Sequence, residues 1–236
     1  LDCGAAFIHW CPRLGFVELT RTGVPRYAGS QKPVFVADGG RIKKIETCLG
    51  TGESFFRAMR QLGYADWKGK KRVIFGSGKV GSGLLAYARA YGAVPVVDTK
   101  PESVTPSVAG KAAAVLDCDD VAAVVAAVAD AYAVVTATGV AHALSHPALT
   151  DALAKSPALL ANMGEDEFGP ALPASRVLCG KRALNFILEE PTHMKYIDAT
   201  MGLHNEGINY LLSHPRHSGL IDPPAQMEEY LLGITR

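Results

Sequence analysis

The chain reads as an α/β protein, a doubly wound parallel sheet in three αβα layers with flanking segments at both ends. Three observations predict this. From Lys71 onward, short apolar runs alternate with longer helical patterns. Those runs are continuous in apolar character, as in strands covered on both faces. A glycine-rich turn, Gly76-Ser-Gly-Lys-Val-Gly81, joins the first run to the first helix, which makes the sheet Rossmann-type.

The elements follow in order. Arg72–Phe75 (RVIF) is a buried strand, and Lys79–Tyr91 is a helix packed through Val80, Leu84, Leu85 and Ala88. Ala93–Asp98 is the next strand, although Pro95 is out of place in the middle of a sheet. Ala112–Leu116 is a further strand candidate. Asp119–Ala129 is a helix, with Asp119 or Asp120 near its N-terminus favoured by the dipole. Ala133–Thr136 and Ala158–Ala161 are buried strands, separated by a helix near Ala148–Lys155. Val177–Cys179 and Asn185–Leu188 are placed to extend the sheet. Upstream, residues 1–40 are rich in turns and Glu46–Leu62 is helical. Downstream come a helix over Met201–Ser213, a link at Pro223-Pro224 and a short helix, Ala225–Leu232. The expected divisions are residues 1–48, 49–213 and 214–236.

Composition narrows the function. The 236 residues are 48% hydrophobic and 20% charged with a net charge of +1, so no electrostatic footprint points to nucleic acid or an anionic membrane. The basic run Lys68–Arg72 is expected to be a solvated turn. Five cysteines, odd in number and without a CxxC pair, suggest reduced thiols in a cytoplasmic protein and no metal site. Neither a signal peptide nor a bilayer-length apolar run is expected from these residues. A small-molecule partner is expected.

The glycine turn matches G-x-G-x-x-G at Gly76, Gly78 and Gly81, between a strand and a helix. Gly76 permits the tight turn, Gly78 admits a pyrophosphate close to the backbone, and Gly81 lets helix and strand approach. The N–H groups at the helix start, around Lys79 and Val80, then face the negative charge. Asp98 ends the next strand twenty residues after Gly78 and is placed to accept the ribose hydroxyls of NAD in preference to the phosphorylated NADP. A P-loop is excluded because Ser82, not lysine, follows Gly81. Thr136-Ala-Thr-Gly139 and Asn162-Met-Gly164 end two more strands, so Thr136, Thr138, Asn162 and Gly164 are expected on the floor of the same crevice.

These motifs are collinear with a known family. KKRVIFGSGKVGSGLLAYARAYGA, VVTATG and LLANMG resemble the NAD-binding domain of S-adenosylhomocysteine hydrolase. FVELTRTGV, LGTGESFFRAM and ATMGLHN resemble further segments of it, and LDCG with Phe7–His9 looks like the close of its substrate domain. The resemblance implies a tightly held NAD, transient oxidation of a nucleoside hydroxyl, a hydrolase of one-carbon metabolism, a homo-oligomer, and most of a substrate domain upstream of Leu1. It places Thr20, Thr22 and Thr47 at the cofactor. It places Glu46 where the family has an aspartate, Ile42 where it has the ribose lysine with Lys43 beside it, and Leu19 where it has a substrate glutamate. Asp2 falls at the hinge aspartate, Glu165 replaces a histidine, and Leu203 replaces another with His204 next to it. The catalytic candidates are therefore Lys43, Glu46, Asp2, Glu165 and His204. Against these stand plainer readings: Lys43 and Glu165 as surface charges, His193 and His204 as structural groups. Two other functions stay open, a 2-hydroxy-acid or amino-acid type dehydrogenase and a non-catalytic NAD-binding regulator.

Overall fold

The strands run in parallel as expected, in a computed structural model that describes residues 1–92, 94–215 and 217–234. In chain order the first elements are β1 (Phe16–Glu18), β2 (Val34–Val36), α1 (Arg41–Lys44) and α2 (Thr51–Gln61). Then come β3 (Arg72–Phe75), α3 (Lys79–Ala88), β4 (Pro95–Asp98), α4 (Pro106–Ala109), β5 (Ala114–Asp117) and α5 (Val121–Ala129). The remainder are β6 (Ala133–Thr136), α6 (Pro147–Lys155), β7 (Leu159–Asn162), α7 (Met194–Ser213), β8 (Leu220–Ile221) and α8 (Ala225–Ile234). The chain divides into two compact units, one from Leu1–Glu46 with His193–Arg236, the other from Thr47–Thr192.

The second unit is the Rossmann-type domain. Its five strands are ordered β5-β4-β3-β6-β7, all parallel. Side chains alternate between faces along each strand. Ile74, Val96, Val135 and Ala161 pack with Phe55 and Met59 of α2 and Leu84 and Leu85 of α3. Val73, Phe75, Val97 and Val134 pack with Val124 and Val128 of α5 and Leu149 and Leu153 of α6. Both faces are thus covered, which gives the three layers. Phe75 lies opposite Val97 and Thr136, and Thr136 opposite Asn162, so the loops after β3, β4, β6 and β7 leave the sheet at one edge.

Three expectations shift for identifiable reasons. Pro95 opens β4 instead of lying within it, which removes the conflict with its missing N–H; Ala93 lies outside the described residues. Val177–Cys179 and Asn185–Leu188 are not strands: Cys179 and Gly180 have φ of 53° and 62°, a left-handed step that ends extension, and Leu184–Ile187 is a 3₁₀ turn. Only an isolated bridge, Asn162 to Ala183, continues the sheet there. The helix expected over Glu46–Leu62 begins instead as a π-helical stretch, Ile45–Gly50, before α2.

In the first unit β1, β2 and β8 form a parallel three-stranded sheet under α7. Val17, Phe35, Ile42, Leu203, Leu211 and Leu231 make its core. The helix expected over Met201–Ser213 starts earlier, at Met194, as α7. The last segment is not separate from the first: β8 pairs with β2, and Glu228 of α8 accepts the Ile42 N–H of α1 at 2.9 Å. The two compact units change at 46/47 and 192/193. No helix among the described residues is long and apolar enough to cross a membrane.

Candidate functional site

The edge where the loops leave the large sheet holds a cavity of about 530 Å³, a size typical of small-ligand sites. Its polar side is the turn Gly76–Gly78 with Asp98 and Thr99. Val121, Val124, Val140 and Leu149 line its apolar side.

Each glycine of the turn has its own physical cause. Gly76 has φ of 97°, and a Cβ there would stand 2.5 Å from the Ala137 carbonyl oxygen. A Cβ on Gly81 would meet the Gly76 carbonyl oxygen at 1.9 Å. Gly78 differs: its φ is −64° and a Cβ would meet nothing within 4 Å. Nothing in the protein around this position on the cavity lining demands glycine. Gly78 is also the N-cap of α3 and supplies no capping side chain, so the N–H groups of the first turn point outward from the helix end.

Asp98 is fixed by the turn that it faces. Its Oδ2 accepts the Ser77 N–H at 2.9 Å and its Oδ1 the Lys100 N–H at 3.2 Å. Burial raises its pKa, but bonds from the Ser77 side chain and from the backbone of Lys100, Ser77 and Thr99 outweigh this and hold it below the usual carboxylate value. The group stays ionised at neutral pH.

The other predicted cofactor positions divide into lining and support. Thr138 lines the cavity. Thr136 and Asn162 are fully buried beneath it: Thr136 Oγ1 donates to Asn162 Oδ1 at 2.7 Å, and Asn162 Nδ2 donates to Lys181 O at 2.8 Å, Gly164 O at 3.2 Å and the Glu165 carbonyl. They knit loops together and do not line the cavity. Val80 packs against the core, and neither it nor Lys79 is on the lining. Glu167, which carries no motif signal, is fully buried and accepts the N–H groups of Thr138 and Gly139. Thr20 and Thr22 belong to the first unit, where Thr20 Oγ1 donates to Glu18 Oε1 at 2.6 Å and Thr22 Oγ1 to Thr20 Oγ1 at 3.4 Å. Thr47 Oγ1 is buried with no partner among the described residues.

The catalytic candidates fare unevenly. Lys43 and Glu46 form an ion pair one helical turn apart, their side chains 9% and 13% exposed. Glu165 is exposed. Asp2 is buried and accepts N–H groups from Cys3 (2.8 Å), Ala6 (3.0 Å) and Phe7 (3.0 Å) and the Tyr27 hydroxyl. His204 is buried and its Nε2 donates to the Val17 carbonyl at 2.9 Å. Both of the latter do structural work in the first unit. Glu18 does similar work, accepting the N–H groups of Gly4, Ala5 and Thr20.

Asp2 makes a testable acid-sensitive staple. Burial raises its pKa, but the Tyr27 hydroxyl and the backbone bonds lower it further, so the folded value lies below the unfolded one of about 3.9. Its stabilisation is present above that value and is lost as pH falls through the folded pKa. Asp2→Asn should cost about 1–3 kcal/mol at pH 7 in urea unfolding. It should also flatten the loss on acidification below about pH 4; equal acid sensitivity in both proteins would contradict the assignment.

No family model matches the chain, nor does any curated protein. Among solved structures it is similar to shikimate 5-dehydrogenase from Listeria monocytogenes in complex with shikimate and NAD (TM-score 0.41, 16% identity, 70% of this chain and 62% of that chain). It is likewise similar to a cinnamyl alcohol dehydrogenase from Sorghum bicolor (TM-score 0.41, 17% identity, 75% and 54%). The chain therefore spans less than two thirds of the length of either.

Proposed function

We propose that the cavity of the second unit binds NAD, its pyrophosphate on the Gly76–Gly78 turn and the start of α3, its adenosine ribose against Asp98. Gly78 carries this reading: a cavity-lining glycine with ordinary φ and open space at its Cβ leaves room that the protein itself does not use. The ionised Asp98 favours free ribose hydroxyls and repels a 2′-phosphate. Asp98→Ser should therefore shift the NAD+/NADP+ affinity ratio towards NADP+ by about tenfold or more, close to 1.4 kcal/mol or above. An unchanged ratio in competition titrations would remove Asp98 from the ribose.

When bound, NAD supplies reversible hydride acceptance from a carbon that bears a hydroxyl. The collinear motifs support a chain that holds the dinucleotide through turnover and transiently oxidises a hydroxyl of a nucleoside or similar polyol, as in the S-adenosylhomocysteine hydrolase family. Lys43 and Glu46, paired with each other in the first unit, are expected catalytic side chains whose bond is to one another and not to the backbone. Adding adenosine to the NAD+-loaded protein should produce the near-ultraviolet absorbance of bound NADH without net accumulation of free NADH. Steady release of NADH would instead favour a conventional dehydrogenase. A second reading, a non-catalytic NAD-binding regulator, is favoured by the structural duties of Asp2 and His204. Binding with no reduction by any nucleoside or polyol would select it.

A further inference from the structure

The largest unexplained charge in the Rossmann-type unit is Glu167. Its side chain has no exposure to solvent, and it forms no ion pair among the described residues. Taking a carboxylate out of water is costly unless donors replace the water. Three do: Oε2 accepts the Thr138 N–H at 2.9 Å and the Thr138 hydroxyl at 2.8 Å, and Oε1 accepts the Gly139 N–H at 3.0 Å. Its sequence neighbour Phe168 is an ordinary apolar core residue, so burial as such does not call for a charge here.

The arrangement has two consequences. The two oxygens grip consecutive peptide N–H groups, which fixes the plane of the turn at Gly139, where φ is 71°. They also occupy donors that would otherwise attract phosphate, leaving the glycine turn and the start of α3 as the place for the anionic part of a ligand. The same carboxylate crowds Gly164 after β7, where a Cβ would stand 2.6 Å from Oε1. Along the sheet edge the order is Asp98 at the end of β4, Gly76 after β3, then Thr138 after β6. A dinucleotide with its adenosine at Asp98 and its pyrophosphate at Gly78 therefore reaches Thr138 with its other half.

We infer that Glu167 is a positioning residue that holds the Thr138–Gly139 turn in the shape required by the half of the dinucleotide beyond the pyrophosphate. This rests on the reading of the cavity as an NAD site. Titration calorimetry with NAD+ and with ADP, which lacks the nicotinamide riboside, separates the two ideas. In Glu167→Ala the NAD+ affinity should fall about tenfold or more, while ADP stays within about twofold. Glu167→Gln should fall between, because one oxygen can still serve Thr138 while its NH₂ faces the Gly139 N–H. Equal losses for both ligands, or unchanged NAD+ affinity, would overturn the assignment. If the alanine variant does not fold, the glutamine variant decides by the same comparison. Wild-type protein that binds neither ligand would instead overturn the NAD reading of the cavity itself.

Discussion

Replacing Gly78 by alanine is expected to weaken NAD+ binding by about tenfold or more while leaving stability within about 1 kcal/mol of the parent. The two effects separate because the protein and the ligand make different demands on this position. Within the protein the methyl group meets nothing and φ is already negative. Alanine is a poorer N-cap than glycine, by up to about 1 kcal/mol, but it restricts the unfolded chain by about 0.4–1 kcal/mol, and the two nearly offset. The methyl group would, however, keep a pyrophosphate from the first-turn N–H groups of α3, where the hydrogen bonds to charge are short and directional. Gly81→Ala is the control with the opposite pattern, since its Cβ collides with a backbone oxygen at 1.9 Å. Melting curves and NAD+ titrations of both variants check the pair. Loss of stability in Gly78→Ala, or unaltered affinity, would contradict the role given to this glycine.

Replacing Gly83 by alanine should cost about 2–4 kcal/mol, a large stability loss for a single methyl group. Its Cβ would lie 1.8 Å from the Cys48 carbonyl oxygen and 2.6 Å from that residue's carbonyl carbon. The obstacle is backbone, which cannot turn aside as a side chain can. On the facing helix, a Cβ at Gly52 would stand 2.6 Å from the Gly83 carbonyl carbon, so α2 and α3 approach through a pair of glycines. Chemical denaturation should show the midpoint of Gly83→Ala moving well below that of the parent. A shift no larger than that of an exposed alanine substitution on α3 would show that the helices can separate at little cost.

The legible parts of the fold were those set by local pattern. Continuous apolar runs located β3, β6 and β7 within a residue or so, because strands buried on both faces need no long-range information to be apolar. The conformation of the glycine turn and the place of Asp98 beside it were legible for the same reason, since they follow from backbone geometry and from position at a strand end. What remained hidden depends on partners distant in sequence. β1, β2 and β8 are two or three residues long, and β2 pairs both with nearby β1 and with β8 from the far end of the chain. Asp2 and His204 look like catalytic polar residues until their carboxylate and ring are seen bonded to Phe7, Tyr27 and Val17. Glu167 was missed for the converse reason. A glutamate one turn after a strand end carries no signal until its oxygens are found on the Thr138 and Gly139 N–H groups.

The most direct test is a calorimetric titration of nucleotide-free protein with NAD+ and, separately, with NADP+. Saturable binding of NAD+, tighter than NADP+ by about tenfold or more, is the predicted result. Binding of neither nucleotide, or tighter binding of NADP+, would contradict the assignment of the Gly76–Gly78 turn and Asp98 as an NAD site.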